Sequence, residues 1–102
     1  MSGLKSSGVD RLSLLPPSDG GWWLYVLLNK DESRTYVGVT TDVERRLAQH
    51  NSRRGAKATR PGRPWSIAKV HGPFNKSRAH QLEWDLKKQR FLRRLEWVPP
   101  TP

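Results

Sequence analysis

Two short runs of aromatic and branched residues, separated by a polar turn, limit most strongly what this chain can fold into. The first run, Trp22–Leu28, and the second, Arg34–Thr40, have the composition of β-strands, and residues 29–33 between them are polar. In the second run the positions alternate between two faces, with Tyr36 and Gly38 on one of them. The sequence therefore predicts an antiparallel hairpin.

A helix start signal follows the hairpin at once. Thr41 and Glu44 stand at the spacing of a capping box, in which the hydroxyl accepts a hydrogen bond from a backbone amide and the carboxylate reaches back to the cap. Val43 and Leu47 are one turn apart and mark the inward face of the predicted helix, which is expected to end at about Asn51.

The second half of the chain predicts a third strand and further helices. Trp65–His71 has the composition of a strand, Gly72-Pro73 is expected to end it, and Ser77 is expected to cap the next helix. The apolar residues at helical spacing are Ala79, Leu82 and Leu86, followed more weakly by Phe91, Leu92 and Leu95. We expect an α/β fold of the α+β type: a small, mainly antiparallel sheet of three strands flanked by helices, in the order β-β-α-β-α with a terminal helix.

The two ends of the chain differ in composition from its middle. Residues 1–20 are rich in Ser, Gly and Pro and are expected to form a flexible leader, residues 21–96 a single domain, and residues 97–102 a Pro-rich tail. The chain has no cysteine, which excludes disulfides, thiolate zinc sites and cysteine nucleophiles. No apolar run approaches the roughly 18 residues of a membrane span. We expect a monomeric cytoplasmic protein that associates with the nucleoid and not with a membrane.

The charge balance points to a polyanionic partner. Nineteen Lys and Arg residues stand against nine Asp and Glu residues, which gives a formal charge of +10. Seven Lys and Arg residues and two acidic residues lie between residues 42 and 63, and a basic loop there is expected to hold backbone phosphates. The predicted nucleic-acid contacts are Arg45, Arg53, Arg54, Lys57, Arg60 and Arg63. The alternative is a solvated basic surface that makes no specific contact.

An ordered series of short motifs carries a family resemblance. Trp23-Leu24-Tyr25 and Tyr36-Val37-Gly38 resemble the two signature tripeptides of the GIY-YIG endonucleases, and Arg46 and His50 follow at the matching distances. The series continues through Gly55-Ala56-Lys57-Ala58-Thr59, Pro64-Trp65 and Ala79-x-x-x-Glu83. The resemblance covers residues 22–90. It is closest to the small stand-alone bacterial members, and it extends to the nuclease subunit of the eukaryotic structure-specific resolvase.

The resemblance implies a role for each matching side chain. Its implied catalytic residues are Tyr25, Tyr36, Arg46, His50 and Glu83. Glu83 would offer a hard carboxylate ligand to one Mg²⁺ or Mn²⁺ ion, and the planar Arg46 fork would bind phosphate oxygens. Tyr25 would be the general base or position the attacking water, with Tyr36 as a supporting hydroxyl. His50 would contact the phosphate or assist proton transfer.

Simpler structural roles compete with these functional ones. Glu83 and Lys87 are spaced as an ion pair along one helix face, and Arg46 could be a surface arginine. His50 could be a histidine that the helix dipole favours at a helix C-terminus. Tyr25 and Tyr36 could be sheet residues with satisfied hydroxyls.

The chain also departs from the family pattern. Trp23 and Leu24 replace the usual glycine and isoleucine of the first tripeptide, and Leu95 stands where many members carry an asparagine. None of these changes removes a charge or an implied metal ligand.

The sequence as a whole predicts a metal-dependent endonuclease that hydrolyses phosphodiester bonds in DNA. The enzyme is expected to choose DNA structure over sequence and to act in DNA repair or recombination. RNA as a substrate and a protein partner for targeting stay open. A non-catalytic nucleic-acid-binding module is the main alternative, and a scaffold that docks on a protein through Trp84, Trp97 and the leucines of the leader is the third.

Overall fold

The computed structural model describes residues 21–52 and 56–100. Its elements are β1 (Trp22–Leu28), β2 (Thr35–Thr40), α1 (Val43–His50), β3 (Ser66–Phe74), α2 (Lys76–Lys87) and α3 (Phe91–Glu96), with a short 3₁₀ turn at Lys57–Thr59. The predicted fold class and the order β-β-α-β-α-α are confirmed. The predicted leader, residues 1–20, lies outside the described residues. None of the helices in the described ranges has the length and apolar character that crossing a membrane requires.

The three strands form one antiparallel sheet with β1 in the centre, in the order β2-β1-β3. Successive side chains of β1 point to opposite faces, and both faces are buried. Leu24 and Val26 form one core with Leu82 and Leu86 of α2. A central strand that is buried on both faces explains why this run is apolar throughout instead of alternating.

The opposite face of the sheet holds a second core that contains Tyr25, Leu27 and Trp65. Leu47 of α1 is partly buried against this cluster. The sheet therefore separates α2 from α1, and the odd-numbered side chains of β1 point towards the face where α1 lies.

The turn between β1 and β2 is organised by one buried amide. The Asn29 side chain is 6% exposed, and its Oδ1 atom accepts hydrogen bonds from the backbone N–H groups of Ser33 at 2.9 Å and Arg34 at 2.8 Å. The neighbouring Lys30 N–H donates to the Gly62 carbonyl at 3.1 Å. This turn therefore anchors the far end of the basic loop to the sheet.

The predicted helix caps are wrong by one or two residues. Asp42, not Thr41, is the N-cap of α1, because its carboxylate accepts from the Arg45 N–H at 3.1 Å. The Thr40 hydroxyl in turn accepts from the Asp42 N–H at 3.1 Å and fixes the approach to the helix. Aspartate is at least as good an N-cap as threonine, so the capping box at Thr41 and Glu44 is not formed.

The cap of α2 likewise precedes the predicted one. The Asn75 side chain accepts from the Arg78 N–H at 2.8 Å, which places Ser77 inside the first turn. Both errors have the same cause, since two nearby residues with capping side chains compete and their sequence spacing does not decide between them.

Strand β3 runs past Gly72-Pro73 and ends at Phe74, so the predicted end at His71 is wrong. The register of β1 against β3 shifts between Trp22 and Leu24, which marks an irregularity opposite this segment. Gly72 has φ +134°, a conformation that favours glycine. Strand β3 lies at the edge of the sheet, where a proline is tolerated because the N–H that it lacks is not needed for pairing with a second neighbouring strand.

Helix α3 is joined to the rest of the molecule by the hydrogen bonds of Arg94 and by apolar packing. Arg94 donates from Nε to the Gln89 carbonyl at 2.7 Å, and from Nη2 to the Lys87 carbonyl at 2.9 Å. Its Nη1 atom donates to the Thr35 hydroxyl of β2 at 3.3 Å. Leu95 and Trp97 pack against the core beneath α2, so the residue that replaces the family asparagine has a packing role.

Gly38 makes room for a tyrosine ring, which generates a stability prediction. Gly38 pairs with Tyr25 in the sheet register, and a Cβ at this position would lie 2.5 Å from the Tyr25 hydroxyl oxygen. We expect Gly38→Ala to lower the free energy of unfolding by about 1–3 kcal/mol, since a well-packed ring cannot move aside freely. Urea denaturation measures the loss. In a Tyr25→Ala background the same substitution should cost far less, and an equal cost in both backgrounds would contradict this account.

Candidate active site

Three of the predicted site residues form a cluster of rings where β1, β2 and the end of α1 meet. The ring centroids of Tyr25 and Tyr36 are 6.5 Å apart, those of Tyr25 and His50 are 5.9 Å apart, and those of Tyr36 and His50 are 4.8 Å apart. The β-hairpin brings the two tyrosines onto one face, and α1 carries the imidazole back to them. Two hydroxyls and one imidazole therefore share one small region.

A buried hydrogen bond joins Tyr25 to His50. The Tyr25 hydroxyl lies 2.9 Å from His50 Nε2, with Tyr25 only 2% exposed and His50 fully buried. The other ring nitrogen, Nδ1, lies 2.8 Å from the Thr59 hydroxyl. Both nitrogens of His50 are engaged inside the protein, which favours proton transfer over a direct phosphate contact as its role.

Burial keeps both members of this pair neutral. It raises the pKa of Tyr25 to about 12, while the nearby Arg46 guanidinium opposes the rise, and Tyr36 and Glu83 add to it. It lowers the pKa of His50 to about 4, and the positive charge of Arg46 acts in the same direction. The alternative of a protonated histidine favoured by the helix dipole does not fit this environment.

Arg46 lies on α1 one turn before His50, where its charge acts on both members of the pair. Its Nη1 atom donates to the Gln49 side-chain oxygen at 2.7 Å, so Gln49 orients the guanidinium. Sequence reasoning did not assign Gln49, although an Arg and a Gln three residues apart on a helix are natural partners. The guanidinium borders an open cavity of about 140 Å³ that is lined by Thr40, Thr41, Asp42, Arg45, Arg46 and Gln49. Its two arginines suit an anionic group.

Glu83 lies on α2 and is engaged by two side chains of its own helix. Its carboxylate contacts the Lys87 ammonium at 3.2 Å and His80 Nδ1 at 3.3 Å. The simpler ion-pair role is thus present, and the His80 contact is one that sequence reasoning missed. The Glu83 side chain is 18% exposed. Its charge also acts on the Tyr25 hydroxyl, so it belongs to the same electrostatic environment.

The basic residues predicted to contact nucleic acid lie at the surface where they are described. Arg45, Lys57, Arg60 and Arg63 are exposed. Arg53 and Arg54 lie outside the described residues. Lys57 opens the 3₁₀ turn that ends at the buried Thr59, so this part of the loop displays a cation outward and points a hydroxyl inward.

The loop that carries these cations is fastened to the second core. The Trp65 indole N–H donates to the Thr59 carbonyl at 2.7 Å. Asn51, just after α1, accepts from the Trp65 N–H at 2.5 Å and donates to the Trp65 carbonyl at 2.9 Å. Because these contacts are buried or partly buried, residues 56–65 are held in a fixed position relative to His50.

Comparisons with known proteins agree on one family. The GIY-YIG catalytic domain model matches residues 21–93. A UPF0213 protein of Xanthomonas campestris is 38% identical over 77 residues, which are 76% of this chain and 74% of that protein. The UPF0213 protein YhbQ of Escherichia coli is 41% identical over 66 residues, which are 65% of each chain. The structure-specific endonuclease subunit SLX1 of Cryptococcus neoformans is 36% identical over 94 residues, which are 89% of this chain and 19% of that protein.

The neutral state of buried His50 predicts how stability depends on pH. The native pKa of about 4 lies below the value of 6.5 for an unperturbed histidine, so only the unfolded chain takes up this proton between those values. The free energy of unfolding is therefore expected to fall as the pH drops from about 6.5 towards 4. The lowered pKa of His71, caused by burial and then by Lys69, contributes in the same direction.

Denaturation at a series of pH values tests this expectation. His50→Gln should flatten the fall in stability over that window, while His80→Gln removes an exposed histidine and serves as the matched control. A wild-type slope retained in His50→Gln would contradict the neutral, buried state of His50.

Proposed function

The chain belongs to the GIY-YIG family, a family of nucleases, and we propose that it is a metal-dependent endonuclease that hydrolyses phosphodiester bonds in DNA. The observation that carries the proposal is the buried Tyr25–His50 hydrogen bond with Arg46 beside it. A protein that only binds nucleic acid does not need a buried, neutral Tyr25–His50 pair next to Arg46. Hydrolysis of a phosphodiester needs both features, a group that accepts a proton from water and a cation that stabilises the phosphoryl oxygens.

The pair provides a route for the proton of the attacking water. Tyr25 alone is a poor base, because with a pKa of about 12 it stays protonated at neutral pH. In the proposed reaction the negative charge of the bound phosphate raises the low pKa of His50. The water gives a proton to the Tyr25 oxygen while Tyr25 passes its own proton to His50 Nε2. The water oxygen bonds to phosphorus, the ester P–O bond breaks, and the leaving oxygen takes a proton from solvent. His50 then returns its proton to solvent through the Tyr25 hydroxyl, which restores the neutral pair.

Arg46 and Tyr36 complete the arrangement around the phosphate. Arg46 lines the open cavity and its charge acts on the pair, so its guanidinium would bind the non-bridging phosphoryl oxygens, where negative charge accumulates during attack. Tyr36 is partly exposed and packs against His50, so its hydroxyl would orient water or phosphate at the open side of the pair.

Glu83 is the proposed ligand for one Mg²⁺ or Mn²⁺ ion. Within the described residues no group of three or more His, Cys, Asp or Glu side chains could hold a metal by itself. Mg²⁺ commonly binds through one or two carboxylates, substrate phosphates and waters, so a partly exposed carboxylate such as Glu83 fits it. The bound ion would neutralise phosphate charge. For Glu83 to bind it, the Lys87 ammonium has to leave one carboxylate oxygen.

The proposed substrate is structured DNA. The exposed cations of the basic loop lie beside the proton pair and contact phosphates without reading bases, which suits recognition of shape. The similarity to a protein named as a structure-specific endonuclease subunit supports the same choice and a role in repair or recombination. Because that relative is named as a subunit, the proposal includes a protein partner that targets this chain to its substrate. RNA is the alternative substrate to compare with DNA.

Cleavage of a labelled panel of nucleic acids tests the proposed function. The panel contains single-stranded, duplex, flap and junction DNA and matched RNA, with Mg²⁺ or Mn²⁺. We expect Glu83→Ala and Arg46→Ala to lose at least about a hundredfold in cleavage rate while still binding DNA, since each removes a charge that acts on the transition state. Asp85→Ala and Arg78→Ala, both on α2, are charge-matched controls that should keep cleavage at saturating DNA.

Tight binding without cleavage by the wild type under both metals would overturn the endonuclease proposal. It would favour the non-catalytic binding module. Cleavage that persists in Glu83→Ala would remove Glu83 from the mechanism and leave the nuclease itself standing.

Salt dependence tests the basic loop separately. Replacing Lys57, Arg60 and Arg63 by Ala should flatten the plot of log binding constant against log salt, by about 0.9 for each duplex phosphate that the variant no longer neutralises. A control that replaces Arg34, Lys69 and Arg93 removes the same charge from exposed positions elsewhere. Equal flattening in the two variants would show that net charge, and not the loop, determines binding.

A further inference from the structure

Thr59 is a buried polar residue outside the predicted catalytic set. Its side chain is fully buried, and its hydroxyl oxygen lies 2.9 Å from the Ala56 carbonyl oxygen and 2.8 Å from His50 Nδ1. His50 Nε2 in turn lies 2.9 Å from the Tyr25 hydroxyl. Thr59 therefore belongs to a buried chain of hydrogen bonds that ends at the Tyr25 hydroxyl, which is the proposed proton relay.

Counting hydrogens along this chain fixes its direction. A threonine hydroxyl has one hydrogen, and a backbone carbonyl can only accept. If Thr59 donates to the Ala56 carbonyl, its oxygen must accept from His50 Nδ1–H. The neutral imidazole then carries no hydrogen on Nε2, which accepts from the Tyr25 O–H. Every contact in the chain is then a hydrogen bond with one donor and one acceptor.

The opposite direction is unfavourable at both ends of the chain. If Thr59 donated to Nδ1, its oxygen and the Ala56 carbonyl oxygen would face each other at 2.9 Å with no hydrogen between them, although the carbonyl would still accept from the Thr59 N–H at 3.0 Å. Nε2–H would donate to Tyr25, whose own hydrogen would then need another acceptor. The Arg46 guanidinium, whose charge acts on Tyr25, can only donate and so offers no acceptor. Buried polar groups are nearly always satisfied, so the first direction is strongly preferred.

We infer that Thr59 is a positioning residue that holds neutral His50 with its proton on Nδ1 and keeps the Nε2 lone pair directed at the Tyr25 hydroxyl. The effect of Thr59 on catalysis rests on the proposed endonuclease function. Its effect on the tautomer of His50 is independent of that function. A proton acceptor in the wrong tautomer is useless, because Nε2–H cannot take the proton that Tyr25 releases. Thr59 thus determines whether the pair can move a proton at all.

Nitrogen NMR of the histidine rings tests the tautomer without any need for activity. The chain has three histidines, and the His50 signals are assigned by their loss in His50→Gln. At neutral pH we expect the long-range ¹H–¹⁵N pattern of an Nδ1–H imidazole in the wild type and in Thr59→Ser. Thr59→Val, which keeps the shape but removes the acceptor, should shift His50 towards Nε2–H. An Nε2–H pattern in the wild type would overturn the inference.

Single-turnover cleavage of the best DNA substrate tests the consequence. Thr59→Val is expected to slow cleavage by at least about tenfold, with DNA affinity unchanged and the rate recovered in Thr59→Ser. An Nδ1–H pattern that persists in Thr59→Val, with an unchanged rate, would remove Thr59 from its positioning role. An Nδ1–H wild type that cleaves no substrate would overturn the endonuclease proposal and leave the tautomer assignment intact. The amide spectrum of each variant verifies the fold.

Discussion

The hydrogen bond between Tyr25 and His50 is the contact on which the rest of this structure depends. It joins the central strand of the sheet to the last residue of α1, so it fixes the end of the helix against the hairpin. Gly38 leaves the space that the Tyr25 ring occupies. The Thr59 hydroxyl contacts the other ring nitrogen of His50, Nδ1. Removing any of these groups would disturb both the packing and the chemistry of the region, because the same atoms serve both.

The electrostatic design combines a neutral buried centre with a cationic surface. Burial disfavours charge on both Tyr25 and His50, while Arg46 stands where it acts on each of them. The chain carries a formal charge of +10, so a polyanion would be drawn towards the molecule. Glu83 is a negative group in this basic setting and is paired with the Lys87 ammonium.

Much of the fold, and the convergence of Tyr25, Tyr36 and His50, could be predicted from the sequence, because local patterns determine them. The aromatic strands and the polar turn predict the hairpin, and four-residue spacing places Arg46 and His50 on one helix edge. The exact caps could not be predicted, since Asp42 competes with its neighbour Thr41. The contact between Thr59 and His50 could not be predicted either, because it crosses a loop whose path the sequence does not reveal.

The central claim is that Tyr25 and His50 act as one unit in phosphodiester hydrolysis. A double-mutant cycle of single-turnover cleavage rates, with Tyr25→Phe, His50→Gln and both together, tests it most directly. If the pair moves one proton, each single variant should lose nearly as much activity as the double variant, since either change breaks the same route. Losses that multiply in the double variant, or a Tyr25→Phe variant that cleaves like the wild type, would contradict the account.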